Sequence, residues 1–335
     1  MLTRKSTTSK LIKLSKLSLF ASVCISQATL ATTITSETIS RPEGQRHYLI
    51  AVPDQLQPST GKRPLIILLH GHMGSAAQLL GQNRSAAPMS VWLNIADREG
   101  LIIAAPDGAR GSDGKQGWND CRADESKNTK TDDVGLIRAI MTREINEHNV
   151  DPNRIYVMGM SNGAMMTFRI ASELGDKLAG FATVSGSMAS TSDCPAPKVP
   201  LSALIISGTS DPLVPYDGGN VHFMSNKSLG GVISVEQSVS VWRKLDGLTA
   251  TPTSVTTLPH INPNDPTSAI KTMWGNNPKG LQVELLRINN GGHMEPSLTQ
   301  HPRRFYTMIV GKQNEDVEAA EEAWNFFKDK YAGLK

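Results

Sequence analysis

The stretch RIYVMGMSNGAMMTFRIA (residues 154–171) decides how this chain is read. A hydrophobic run stops at Gly159-Met160-Ser161-Asn162-Gly163 and resumes as residues that suit a helix. The first half has the apolar continuity of a strand buried on both faces. It is led in by VDPN, which reads as a turn. A strand that passes straight into a helix forces strained backbone angles at its apex. Gly159 and Gly163 keep side chains out of such a turn, so Ser161 can project as a nucleophile. The helix N-terminus behind it favours negative charge developing on a bound carbonyl oxygen. Gly-x-Ser-x-Gly alone is a weak signal; the strand before it and the helix after it give it weight.

The same continuous apolar pattern recurs outward from this stretch. PLIILLHG (residues 64–71), LIIAAPDG, AGFATVSG, LSALIISG and LQVELLRI (residues 281–288) repeat it, while RHYLIAVP (residues 46–53) alternates like an antiparallel edge strand. Helical segments lie between them. MSVWLNIADREG ends at a glycine stop, and DDVGLIRAIMTREINEHN opens with Asp132 and Asp133, which suit helix capping. In the tail, Val317, Ala320, Trp324, Phe327 and Tyr331 share one helix face, with Lys328 and Lys330 matching the dipole at its end. Alternating strands and helices mean an α/β fold with a mainly parallel sheet. Two polar stretches, residues 107–131 and 211–280, read as long loops. Each follows a strand's carboxyl end, where such sheets bind ligands.

A serine nucleophile needs a base, and the base needs an orienting acid; on this architecture they follow in the order Ser, Asp/Glu, His. Asp211 comes directly after LSALIISG. Of the histidines beyond it (His222, His260, His293 and His301), His293 alone comes directly off a strand end, on a Gly-Gly turn. The oxyanion donors are expected to be the backbone N–H of Asn162 and, from the loop after PLIILLHG, that of His72, with Met73 the second choice. The His70 side chain is expected to brace this loop. Trp118 is read as a substrate platform or a loop anchor; with Met160 and Met294 it is taken into the substrate-binding set.

The 335 residues carry a formal net charge of +3 and suit one large domain. Arg4, Lys5, Lys10, Lys13 and Lys16 precede a weakly apolar run and the small residues Ala28 and Ala31. Residues 1–31 therefore read as a secretory signal peptide, with an uncleaved anchor or a lipoprotein at Cys24 the lesser readings. Cleavage after Ala31 removes five positive charges and moves the balance from +3 to −2. The remainder, residues 32–335, has no basic stripe with interleaved aromatics, so nucleic acid is not an expected partner. Stable membrane association after cleavage is not expected either. Cys121 and Cys194 are the remaining cysteines; one disulfide is the expectation and two buried thiols the alternative. No Cys or His at ligand spacing accompanies them, so no metal is expected, and the chemistry needs no cofactor.

Together, LLHGHMGS, GWNDC, DDVGLIRAI, VDPNRIYVMGMSNGAMM, GTSDPLVPY, GGH and EAAEEAWNFF resemble the α/β-hydrolase esterases grouped as poly(3-hydroxybutyrate) depolymerases and feruloyl esterases. Order and spacing match from about residue 46 to 330. The resemblance implies an α/β-hydrolase fold in one catalytic domain. It implies Ser161 as nucleophile, Asp211 as acid, His293 as base, pairing of Cys121 with Cys194, and Trp118 near the pocket. It further implies a small or oligomeric ester substrate, hydroxyalkanoate or feruloyl, while the signal segment and the cysteines imply a secreted or periplasmic enzyme. The sequence departs from that family after the histidine. Met294-Glu295-Pro296-Ser297 stands where Thr-Trp-Pro-Gly is common, removing an aromatic wall and adding an acid beside the base. The alternatives are a secreted peptidase on the same fold and a non-catalytic binding protein on a hydrolase scaffold.

Overall fold

The structure, a computed structural model, describes residues 1–2, 32–53, 61–83, 85–223 and 227–333. The expected signal segment lies outside the described residues apart from its first two. In chain order the strands are β1 (Thr32–Arg41), β2 (Gly44–Pro53), β3 (Arg63–Leu69), β4 (Ile102–Pro106), β5 (Ala109–Arg110), β6 (Gln116–Gly117), β7 (Val150–Met160), β8 (Gly180–Val184), β9 (Ala203–Gly208), β10 (Gly219–Asn220), β11 (Gly231–Val232), β12 (Ser254–Thr257), β13 (Ser268–Trp274) and β14 (Val283–Asn289). The helices are α1 (Ala76–Leu79), α2 (Val91–Glu99), α3 (Asp133–Glu147), α4 (Asn162–Leu174), α5 (Val235–Leu245), α6 (Arg304–Val310) and α7 (Ala319–Phe327). The main sheet runs β1-β2-β4-β3-β7-β8-β9-β14-β13-β12. Its centre, from β4 to β14, is parallel, and both flanks are antiparallel.

The continuous apolar strands are central because both of their faces are covered. In β3, Leu65, Ile67 and Leu69 face the core layer that also holds Val134, Phe168 and Trp242 from α3, α4 and α5. Ile66 and Leu68 face the other layer, with Trp92 of α2 and Phe327 of α7. Each such side chain withdrawn from water contributes about 1.5–3 kcal/mol, so this segment has no exposed alternative of comparable stability. The turn into α4 is equally constrained. A Cβ on Gly159 would lie 2.2 Å from the Gly163 carbonyl oxygen, and one on Gly163 would lie 2.3 Å from that of Leu69.

Several expectations are corrected. RHYLIAVP is not at the edge, since β1 pairs along its whole length and takes that place. VDPN is not a lead-in turn but part of β7, accommodated by a register shift in β3 between Arg63 and Leu65. Residues 211–280 are not one loop: α5, β12 and β13 lie inside them, and the two strands extend the sheet from β14. The tail helix ends at Phe327, leaving Tyr331 exposed. Lys330 does not complete its dipole. It is buried, and its Nζ donates to Gln282 Oε1 (2.8 Å) and the Pro278 carbonyl (3.1 Å).

Candidate active site

β7, β8, β9 and β14 are parallel neighbours, so their carboxyl ends open on one edge of the sheet. Ser161 follows β7, Asp211 follows β9 and His293 follows β14. Backbone bonds continue the ladder past the strand ends. Ser161 N–H donates to the Val184 carbonyl (2.9 Å), Thr209 to Ile288 (2.9 Å) and Ser210 to Gly291 (2.8 Å).

Ser161 sits at φ 56°, ψ −122°, a left-handed conformation that only a tightly packed turn holds in a residue with a Cβ. The loop after β3 passes directly over it: a Cβ on Gly71 would lie 3.3 Å from Ser161 Cβ and 3.9 Å from Oγ. Among the described residues the Ser161 hydroxyl has no hydrogen-bond partner, and neither does the backbone N–H of Asn162 or of His72. The Met73 N–H, by contrast, is engaged by the Gln116 carbonyl at 2.8 Å. This leaves His72 rather than Met73 with an amide free for a ligand.

Asp211 and His293 form a buried pair, with Nδ1 of the imidazole 2.8 Å from Oδ2 of the carboxylate. The other carboxylate oxygen accepts from Leu213 N–H (2.8 Å) and Val214 N–H (2.9 Å), which fixes its direction. A carboxylate only accepts, so Nδ1 carries the proton and Nε2 of the neutral ring is left as a base. The His293 backbone is itself anchored, donating to the Val310 carbonyl at 2.6 Å. His260 and His301 are occupied elsewhere, the first by Asp316 (2.9 Å) and the second by Gln313 (3.3 Å).

His70 braces the loop. Its Nε2 accepts from Gly108 N–H (2.9 Å), which leaves Nδ1 to donate to the Gly71 carbonyl (2.7 Å). Burial lowers its pKa, in keeping with this neutral tautomer. Trp118, expected in the substrate-binding set, is corrected: it is fully buried, its indole donates to the His70 carbonyl (2.8 Å), and its ring packs on His70. An indole with no exposed face anchors the loop and offers no platform. Met160 is half-buried and Met294 nearly buried.

A second layer went unread in the sequence. Asn162 accepts from Trp118 N–H (2.8 Å) through Oδ1 and donates through Nδ2 to Asp120 (2.7 Å). Asp120 also holds Arg122 at 2.7 Å and Asn128 at 2.8 Å, all within residues 107–131. The motif GWNDC carried the signal, but the partner at position 162 is too distant in sequence to be paired by pattern. Next to Asp120, Cys121 is bridged to Cys194, with Cα atoms 5.3 Å apart. Glu295, the acid that follows the base, is buried, and desolvation, reinforced by Glu318, raises its pKa well above the ordinary carboxylate range.

With this geometry in view, comparison with known proteins is specific. Residues 55–238 match the model of the phospholipase/carboxylesterase family. Feruloyl esterase B of Piromyces equi is 31% identical over 238 residues, covering 69% of this chain and 40% of that one. A poly(3-hydroxybutyrate) depolymerase of Ralstonia pickettii is 27% identical over 180 residues, 52% of this chain and 36% of that one. The chain thus spans well under half the length of either relative. The solved acetyl xylan esterase from Aspergillus awamori superposes over 82% of this chain and 97% of its own, at a TM-score of 0.52 and 14% identity, a likeness of fold.

Proposed function

Because this chain belongs to the phospholipase/carboxylesterase family and is a carboxylic ester hydrolase, we propose that it is a secreted serine esterase working through Ser161, His293 and Asp211. The observation that carries the reading is the buried His293–Asp211 bond of 2.8 Å on the sheet edge where Ser161 sits at its left-handed apex. In the proposed reaction Nε2 of His293 takes the Ser161 proton as Oγ attacks the ester carbonyl. Asp211 holds the tautomer and stabilises the imidazolium. The free N–H groups of Asn162 and His72 receive the oxyanion, each such donor being worth roughly 10²–10³ in kcat. His293 then protonates the departing alcohol, and a water deprotonated by His293 releases the acid from the acyl-enzyme. Met160 and Met294, adjacent to nucleophile and base, are proposed to line the acyl site.

The proposed substrates are hydroxyalkanoate oligomers or feruloyl and other plant cell-wall esters, as the similarity to a depolymerase and a feruloyl esterase supports. Secretion is proposed from the basic and apolar segment before Ala31. It is supported by the Cys121–Cys194 bridge, which suits an oxidising compartment. Among the described residues no helix is long and apolar enough to cross a membrane. The test is a panel run on purified protein: methyl ferulate, acetylated xylan, hydroxybutyrate oligomers and short p-nitrophenyl esters. Turnover of the short esters with one natural class clearly preferred is expected. Cleavage of aminoacyl arylamides with no ester turnover would overturn the reading.

A further inference from the structure

We infer that α6 and Met73 form an apolar rim on two sides of the catalytic cleft, and that this rim holds the extended apolar chain of an ester substrate. The inference rests on the serine-esterase reading. Four large apolar side chains stand open within fifteen residues beyond His293: Leu298 is 42% exposed, Phe305 70%, Tyr306 47% and Met308 75%. Phe305 and Met308 are three apart, so they share one stripe of the helix. This helix is built into the site. Its last residue, Val310, is buried and accepts the His293 N–H at 2.6 Å. The next, Gly311, packs on Gly292, and a Cβ there would lie 3.5 Å from Pro212, the neighbour of Asp211.

The opposite side is set by the loop over Ser161. Met73 has φ 68°, a strained conformation for a residue with a side chain, and its N–H is pinned to Gln116. The side chain is 50% exposed, two residues beyond the point where Gly71 touches Ser161. A strained backbone that keeps a large apolar side chain in water, two residues beyond the loop's contact with the nucleophile, is accounted for if that side chain meets substrate.

Other occupants fit less well. Side chains of this size carry roughly 150–250 Å². At these exposures the four on and before α6 leave on the order of 400 Å² open, half of what each partner contributes to a stable dimer. An anionic lipid surface needs a net basic field. Here Arg304 and Lys312 share their groove with Asp265 and Glu315, which leaves exposed Arg303, among the described residues, as the one cation beside the apolar stripe without an acid in that groove, far from a polybasic face.

The test compares wild type with Phe305→Ser/Met308→Ser and, separately, with Met73→Ser. Each is assayed on p-nitrophenyl acetate, butyrate and octanoate and on a hydroxybutyrate trimer, with melting curves as the control for folding. We expect the octanoate-to-acetate ratio of kcat/KM to fall about tenfold in the double variant, through KM, with the trimer behaving like octanoate. Phe305→Leu/Met308→Leu restores most of the ratio. An unchanged ratio in folded variants overturns the rim. So does a wild-type dimer, or vesicle binding, that the double variant abolishes. Wild type inactive on every ester sinks the esterase reading itself, a result distinct from lost chain-length selectivity.

Discussion

Replacing both Cys121 and Cys194 by serine tests how the loop over residues 107–131 is held. The bridge spans a sequence separation of 73. In the chain-entropy account a loop of that length contributes about 4 kcal/mol by restricting the unfolded chain. For a domain of this size 1 kcal/mol moves Tm by about 2 °C, so the double variant should melt roughly 8 °C lower. A local effect is added to this global one. Cys121 adjoins Asp120, whose carboxylate holds both Arg122 and the Asn162 side chain. Arg122 in turn pairs with Ser192 as an isolated bridge, and Asp193 N–H donates to the Cys121 carbonyl at 3.2 Å. Without the covalent tie these contacts alone keep residues 120–122 against 192–194. Ester hydrolysis should therefore decline at temperatures below the onset of global melting. Calorimetry paired with rates at stepped temperatures reads both effects. A double variant that melts within 2 °C of wild type, with an unchanged activity profile, would refute the reasoning.

Three further outcomes are expected. Asp211→Asn keeps the fold but releases the tautomer of His293, and kcat should fall about 10³–10⁴-fold with little change in KM; steady-state kinetics decide. Asp120→Ala removes the nearer carboxylate of the buried Arg122 guanidinium, leaving Glu125 at 4.0 Å, and frees Asn162, which should cost about 3 kcal/mol by denaturant titration, the low end for a broken buried pair, and lower kcat as well. Asp246 is pushed up to about 7 by burial, opposed by its bond from Leu201 N–H and by Lys330. Its folded state holds the proton more tightly than the unfolded chain, so its drag on stability is absent below about pH 4 and grows as pH rises towards 7. Asp246→Asn should therefore raise Tm at pH 8 and leave it unchanged at pH 4; equal shifts at both would contradict this.

The parts of the molecule legible in the sequence are those whose signal is local. Runs such as PLIILLHG announce a central strand because burial on both faces requires every position to be apolar. The positions of Asp211 and His293 followed from the rule that loops at strand carboxyl ends share one edge. What was not legible depends on partners far along the chain. All four residues of β12 are exposed, so no apolar alternation marks it as a strand. β1 is rich in Thr and Ser and pairs on one side only, which hid it behind the segment read as a leader. Trp118 could be read as platform or anchor until its indole was seen against the His70 carbonyl. Lys330 looked like a helix-end cation, yet it fills a buried cluster of oxygens brought in by the segment before β14.

The most direct measurement of the central claim is the turnover of p-nitrophenyl butyrate by Ser161→Ala against wild type, with melting curves to establish equal folding. The account predicts a loss of roughly 10⁴-fold or more in kcat at an unchanged Tm. A folded Ser161→Ala protein working within tenfold of wild type would mean that another group performs the attack.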